Sequence, residues 1–271
     1  MKDIFLKIGS FFLSALVFWI IGATISFIVG LSSDNSKEEN KVKSEVKREL
    51  KNFVSHYHNW SDNKSRFYGG RVGVYLEDVK KSNKNKLNLL PISWGDFYKK
   101  IIENDKLRLS SVYELFDRID NTKSLNRNDF ADVIVSFVQN IPYNVITMDS
   151  CNEAYLKNQS VREMIDEGVS CDGNVFLGLY TPTEFISKFK GDCDTRTVFL
   201  YMVLRRYGYD TKILNSDVYG HSILGVNLPS RGRYKTHLGK RYYTWETTNL
   251  NWKLGDLPPT TSRMSNWNVV L

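Results

Sequence analysis

The stretch FKGDCDTRTVFLYMVLRRYGYD, Phe189 to Asp210, sets Cys193 between two aspartates where an apolar helical run begins. Asp192 is a good N-cap residue, and Gly208 supplies the usual stop, so the stretch predicts a helix from about Asp192 to Tyr207. A cysteine at such a helix mouth is unusual, because free cysteines are commonly buried as small apolar groups. The position has a chemical use. Unpaired backbone N–H groups and the macrodipole favour negative charge there, which lowers a thiol from its ordinary value near 8.5 towards the reactive thiolate. Asp192 and Asp194 oppose that charge, so a nearby imidazolium is needed to offset them.

Four histidines can supply it. His56 and His58 sit in an HYH triplet that reads as exposed, and His237 follows the basic turn SRGRYKTHLG and reads as a loop residue. His221 opens HSILGVNL immediately after a turn at Gly220, where a strand-start side chain can project into a cleft. As a lone residue it would read better as a structural imidazole. A carboxylate, Glu246, stands alone in the aromatic and Thr-rich run YYTWETT, where an unpaired buried charge would be expensive. If strands bring the two together, Glu246 fixes the tautomer of His221 and stabilises its charged form. Trp245 and the PTEF stretch, Pro182 to Phe185, read as core and as a helix start.

Taken in order, GDCDTRTVFLYMVLRRYGYDT, then YGHSILGVNL, then YYTWETT resembles the transglutaminase-like core of the papain-type cysteine enzymes. The resemblance covers about Asn140 to the C-terminus and is strongest between Phe185 and Thr248. It implies an α+β fold in which a helical part is followed by an antiparallel sheet, with Cys193 as nucleophile, His221 as general base and acid, and Glu246 as orienting carboxylate. That family's usual acid is Asp, so the extra methylene of Glu246 must be accommodated. FVQNIPY, Phe137 to Tyr143, is similar to an upstream segment of bacterial relatives, and by that likeness Gln139 is a candidate oxyanion donor; a helix-end Gln satisfying backbone is the plain alternative. The implied activity is a cysteine peptidase or amidase working through a thioester, with cleavage of a peptide or isopeptide favoured over cross-linking and a protein or peptide as substrate. No metal or cofactor is needed, and no zinc-spaced cluster or phosphate-cradling glycine loop occurs in the sequence.

The rest of the 271 residues frames that core. Ile8 to Leu31 carries no charge, slightly more than the ~20 residues needed to cross a bilayer. Its length and its IVGLSS flank fit an uncleaved membrane anchor better than a signal peptide. A polar spacer and an amphipathic helix are expected over 32–60, with Val42, Val46, Leu50, Phe53, Val54 and Tyr57 at helical spacing. The stretch 61–140 reads as mostly helical after one strand, with KKSNKNK as a loop, and 141–271 as the catalytic core. The segment from Asn140 to Asp192 reads as irregular. Lys and Arg after the apolar run favour a cytoplasmic domain. Three cysteines point the other way, because an odd count divides into one bridge and one free thiol. A Cys151–Cys171 bridge would place the domain outside the cytoplasm, whereas two buried thiols would not. Net charge is +7, but basic and acidic residues are interspersed and no aromatic-basic RNA motif appears, so nucleic acid is not an expected partner. Two rival readings remain, a non-catalytic membrane-tethered binding module of the same fold and a basic lipid-binding domain.

Overall fold

The structure is a computed structural model, and it describes residues 52–90 and 93–271. The anchor and spacer expected before residue 52 lie outside the described residues. Among the described residues no helix is long and apolar enough to cross a membrane.

The described residues open with a hairpin, β1 (Phe53–Ser61) against β2 (Phe67–Tyr75), in unbroken antiparallel register from Phe53↔Tyr75 to Ser61↔Phe67. This corrects the expectation of a helix running to His58. Phe53, Val54 and Tyr57 fit a helical period, but they belong to an aromatic and β-branched run that satisfies its backbone across a partner strand instead. Period-2 alternation shows at the end of β1, where His58 and Trp60 are buried while Tyr57 and Asn59 are exposed.

Four helices follow: α1 (Leu76–Leu87), α2 (Trp94–Asp105), α3 (Ser110–Lys123) and α4 (Arg127–Gln139). Ser93 caps α2, its hydroxyl accepting from the Asp96 N–H at 3.1 Å, and Asn126 caps α4, accepting from Asp129 at 2.9 Å. The expected KKSNKNK loop lies inside α1. Its buried face is polar, which hides it from hydrophobic periodicity. Ser82 donates to Asp105 Oδ2 at 2.9 Å, and Lys86 Nζ donates to Glu184 Oε2 at 2.7 Å and to the Leu179 carbonyl at 3.0 Å.

The segment read as irregular holds structure of its own. Parallel strands β3 (Asn144–Ile146) and β4 (Ser170–Asp172) bracket helices α5 (Cys151–Lys157) and α6 (Gln159–Asp166). Cys151 and Cys171 are disulfide-bonded across the base of this excursion, and Val145, Ala154 and Val161 form a small core inside it. Helix α7 (Pro182–Lys188) begins with Pro182 and a Thr181/Glu184 capping box.

Helix α8 (Cys193–Arg206) is the centre of the molecule. Val198, Phe199, Leu200, Met202, Val203 and Leu204 are all buried, and each such side chain contributes about 1.5–3 kcal/mol when removed from water. Gly208 follows the helix at φ +73°, a conformation that suits glycine. One face of α8 packs on a five-stranded antiparallel sheet ordered β7-β8-β6-β5-β9, made of β5 (Thr211–Ser216), β6 (His221–Val226), β7 (Tyr234–His237), β8 (Lys240–Trp245) and β9 (Asn268–Val269). The architecture is therefore mixed α+β. Residues 61–140 are not a separate body, since one continuous core runs from Trp60 through α2, α3, α4 and α8 to Trp245.

Candidate active site

Cys193 is the first residue of α8, and the Asp192 carboxylate caps the helix by accepting from the Thr195 N–H at 3.0 Å. The thiol thus stands where backbone N–H groups have no partner within the helix. It is the free cysteine, and 7% of its surface is exposed.

His221 begins β6 and Glu246 directly follows β8, strands that pair antiparallel at the centre of the sheet. Their side chains meet. His221 Nε2 lies 2.9 Å from Glu246 Oε2. The other carboxylate oxygen accepts from the Thr247 N–H at 2.9 Å, the Thr248 N–H at 3.1 Å and the Thr248 hydroxyl at 2.7 Å. These bonds show how the longer Glu is accommodated: the chain turns just after Glu246 and wraps two residues around its carboxylate. With Nε2 donating to Glu246, Nδ1 is the ring atom left to face Cys193, and ring and sulfur are near enough to shift each other's protonation.

Burial pushes the Cys193 thiol above its ordinary value, and the charge on Asp194 pushes the same way; His221 pulls it only part of the way back, so the lowering expected at the helix mouth is outweighed in the free protein. Burial works against the charged form of His221, but the Cys193 thiolate and then Glu246 outweigh it and hold the ring well above 6.5. Burial likewise opposes ionisation of Glu246, and the hydrogen bond and charge of His221 together with the Thr248 hydrogen bonds outweigh that cost, so the carboxylate lies below 4.5. A proton on the ring and charge on the sulfur therefore stabilise each other.

The flanking acids behave differently from free carboxylates. Asp192 is pushed up to about 7, chiefly by burial and then by Asp194, so at neutral pH its charge is partly relieved. Burial also raises Asp194, whose Oδ1 accepts from the Tyr98 hydroxyl at 2.6 Å. Tyr98 in turn accepts from Asn215 Nδ2 at 3.0 Å, and Ser222 donates to Asn215 Oδ1 at 2.9 Å. This chain of contacts, from α2 through β5 to the residue beside His221, softens the repulsion expected between two aspartates and a thiolate. Trp267 packs edge-on against His221, ring centroids 5.9 Å apart, with Tyr219 on its other side.

Gln139 does not face the thiol. Its side-chain nitrogen donates to the Glu246 carbonyl at 2.7 Å and to the Trp252 carbonyl at 2.9 Å, so both N–H groups are spent on backbone. The expectation of an oxyanion donor there is corrected: Gln139 braces the Glu246 strand instead. The group beside the Cys193 N–H is Tyr143, whose phenol burial raises well above 10.

The remaining histidines also differ from expectation. His58 is buried, with Nε2 3.1 Å from the Phe137 carbonyl, and His56 stacks on Phe189 while bonding to the Ser187 carbonyl at 3.0 Å. His237 ends β7. Among the described residues no group of three or more His, Cys, Asp or Glu side chains is placed to hold a metal ion. Cavities of about 600 Å³, between α2, α3 and the end of α8, and about 480 Å³, beside the disulfide, are not lined by Cys193, His221 or Glu246.

Sequence reasoning missed Tyr98, Asn215 and Trp267, whereas Gln139 follows its plain alternative of satisfying backbone. The three missed are polar or aromatic residues whose pairing depends on tertiary contacts, and nothing local signals it. Comparison of the chain with protein-family models, with curated proteins and with solved structures finds no match.

Proposed function

We propose that this chain is a transglutaminase-like cysteine enzyme that acts on amide bonds of a protein or peptide substrate. The observation that carries the reading is the 2.9 Å contact between His221 Nε2 and Glu246 Oε2 beside a free thiol at a helix N-terminus. A helix that opens on a thiol and packs on a sheet bearing an imidazole and its carboxylate is the papain-like reading of the α+β architecture.

The chemistry follows from the donors. Cys193 Sγ passes its proton to His221 Nδ1 and attacks the amide carbonyl carbon, forming a C–S bond and an oxyanion. The Cys193 N–H at the helix mouth, which faces the Tyr143 phenol in the free protein, is a donor for that oxyanion once substrate displaces the phenol. Collapse breaks the C–N bond, His221 returns the proton to the departing amine, and a thioester remains. Water, or a second amine, then attacks the thioester while His221 takes its proton, and the thiol is regenerated. Hydrolysis of a peptide or isopeptide is the favoured outcome, with transamidation as the variant in which an amine outcompetes water. We place the domain outside the cytoplasm on the Cys151–Cys171 disulfide, tethered by the apolar stretch Ile8 to Leu31 as a membrane anchor.

The test compares the full chain with Cys193→Ala for release of new amino termini from a protein substrate and for incorporation of a fluorescent primary amine. Loss of both signals in the variant supports the reading. Equal signals in the two proteins, or none in the wild type across a broad substrate panel, favour a tethered binding module of the same fold.

A further inference from the structure

Arg196 lies three residues beyond the thiol on α8, and it is 0% exposed. Its guanidinium makes four hydrogen bonds, all to backbone carbonyls. Nε donates to Gly191 at 2.8 Å, Nη1 to Val138 at 2.8 Å and to Thr247 at 3.1 Å, and Nη2 to Ile141 at 2.6 Å. The Tyr143 ring covers it, with its centroid 5.4 Å from Cζ. No carboxylate forms an ion pair with it among the described residues.

A buried cation with no carboxylate in contact is expensive, by several kcal/mol even after relaxation, although the charges of Asp192 and Glu246 favour it from further off. Its partners explain how the fold tolerates it. Val138 and Ile141 present carbonyls at the C-terminal end of α4, where such groups lack helical partners and the helix dipole is negative. The other two carbonyls belong to the site. Gly191 stands two residues before Cys193, and Thr247 is the residue after Glu246, whose N–H in turn donates to the Glu246 carboxylate at 2.9 Å. One planar fork therefore grips the approach to the nucleophile and the backbone behind the acid, and anchors both to α4. Lysine could not do this, since a single ammonium is a point donor while Arg presents five N–H groups in fixed directions.

We propose that Arg196 is a positioning residue that holds Cys193, His221 and Glu246 in one line by pinning the Gly191 and Thr247 carbonyls on a single guanidinium. The inference rests on the reading of those three residues as a working site. Burial lowers Arg196 to about 10, which still leaves it charged at neutral pH.

The test uses the full chain, labelled with ¹⁵N-histidine, and Arg196→Lys, which keeps the charge and loses the fork. If Arg196 positions the site, His221 in the folded variant titrates about one unit lower, because Glu246 is no longer aligned with it, and alkylation of Cys193 by iodoacetamide at pH 7 slows about tenfold. A variant that only melts earlier, with the His221 titration and the pH profile of alkylation unchanged, overturns the proposal. A measurement on the wild type covers the case in which the variant does not fold. The Arg196 Nε–H should exchange with solvent as slowly as the amides of α8, and its resonance should move when Cys193 is alkylated. Free exchange, or no response, overturns the proposal. A wild-type thiol inert to iodoacetamide counts against the enzyme, while a lowered His221 titration in Arg196→Lys still upholds the positioning.

Discussion

Replacing Glu246 by Gln exchanges one oxygen for an NH₂ group, and the surroundings dictate which way the new amide faces. Three donors converge on Oε1, from Thr247 N, Thr248 N and the Thr248 hydroxyl. The amide oxygen must stay there, because turning NH₂ towards them would set donor against donor. The NH₂ then faces His221 Nε2, 2.9 Å from the atom it replaces, and donates where the carboxylate accepted. Nε2 is forced to be the acceptor, so the neutral ring carries its proton on Nδ1, the nitrogen that should receive the proton of Cys193. The charge is lost as well. Two unit charges about 4 Å apart interact by about 4 kcal/mol at an effective dielectric of 20, roughly three pKa units as a ceiling. Alkylation of Cys193 by iodoacetamide, followed by intact mass from pH 5 to 9, should slow by about 10²–10³-fold at pH 7, allowing for partial relaxation. The folded state should survive, since the polar surface of the side chain is conserved. Labelling within threefold of wild type, with the same pH profile, would refute the tautomer reasoning.

The same pair sets a stability window. Glu246 lies below 4.5, so its contribution is fully present above that pH and is lost as pH falls through its folded value; His221 lies above 6.5, so its contribution is fully present below that pH and is lost as pH rises through its folded value. The Tm difference between wild type and His221→Gln should therefore be widest between pH 4.5 and 6.5 and shrink on both sides, and a flat difference from pH 4 to 9 would contradict it. Gln139→Met removes the side-chain donor to the Glu246 carbonyl, while the Trp252 carbonyl keeps Trp245 Nε1 at 2.9 Å, and should cost about 1–3 kcal/mol in urea unfolding, the penalty for one orphaned group. Unchanged stability would show that those bonds are not made. Breaking the Cys151–Cys171 bridge by double replacement with Ser should cost about 3 kcal/mol and raise hydrogen exchange first in α5 and α6, whose own core is small. Uniform exchange across α8 and the sheet would contradict that order.

The parts of the fold legible in the sequence are those whose signal is local. Helix α8 declares itself through Asp192, an apolar run and Gly208, and the late strands through β-branched and aromatic runs broken by turns. Glu246 was legible as a lone carboxylate in an aromatic run and His221 by its place at a strand start and in the family resemblance, and the structure brings their side chains together. Helix α1 was hidden because Ser82 and Lys86, its buried face, are polar and find partners on α2 and α7. The start of the hairpin was misread since Phe53, Val54 and Tyr57 fall at helical spacing, and pairing with β2, a tertiary event, overrides it. Arg196 escaped notice for a related reason: a charged residue in a helix reads as a solvent face until its four carbonyl partners are seen.

The central claim is that Cys193 is an acylating nucleophile, and trapping its thioester tests that most directly. Intact mass of the full chain is followed after mixing with p-nitrophenyl acetate, with peptide mapping to locate any adduct. The account predicts one acetyl group on Cys193, released by neutral hydroxylamine, and none on Cys193→Ala or, on the same timescale, on His221→Gln. Acetylation confined to lysines, or a Cys193 that reacts only after unfolding, would contradict it.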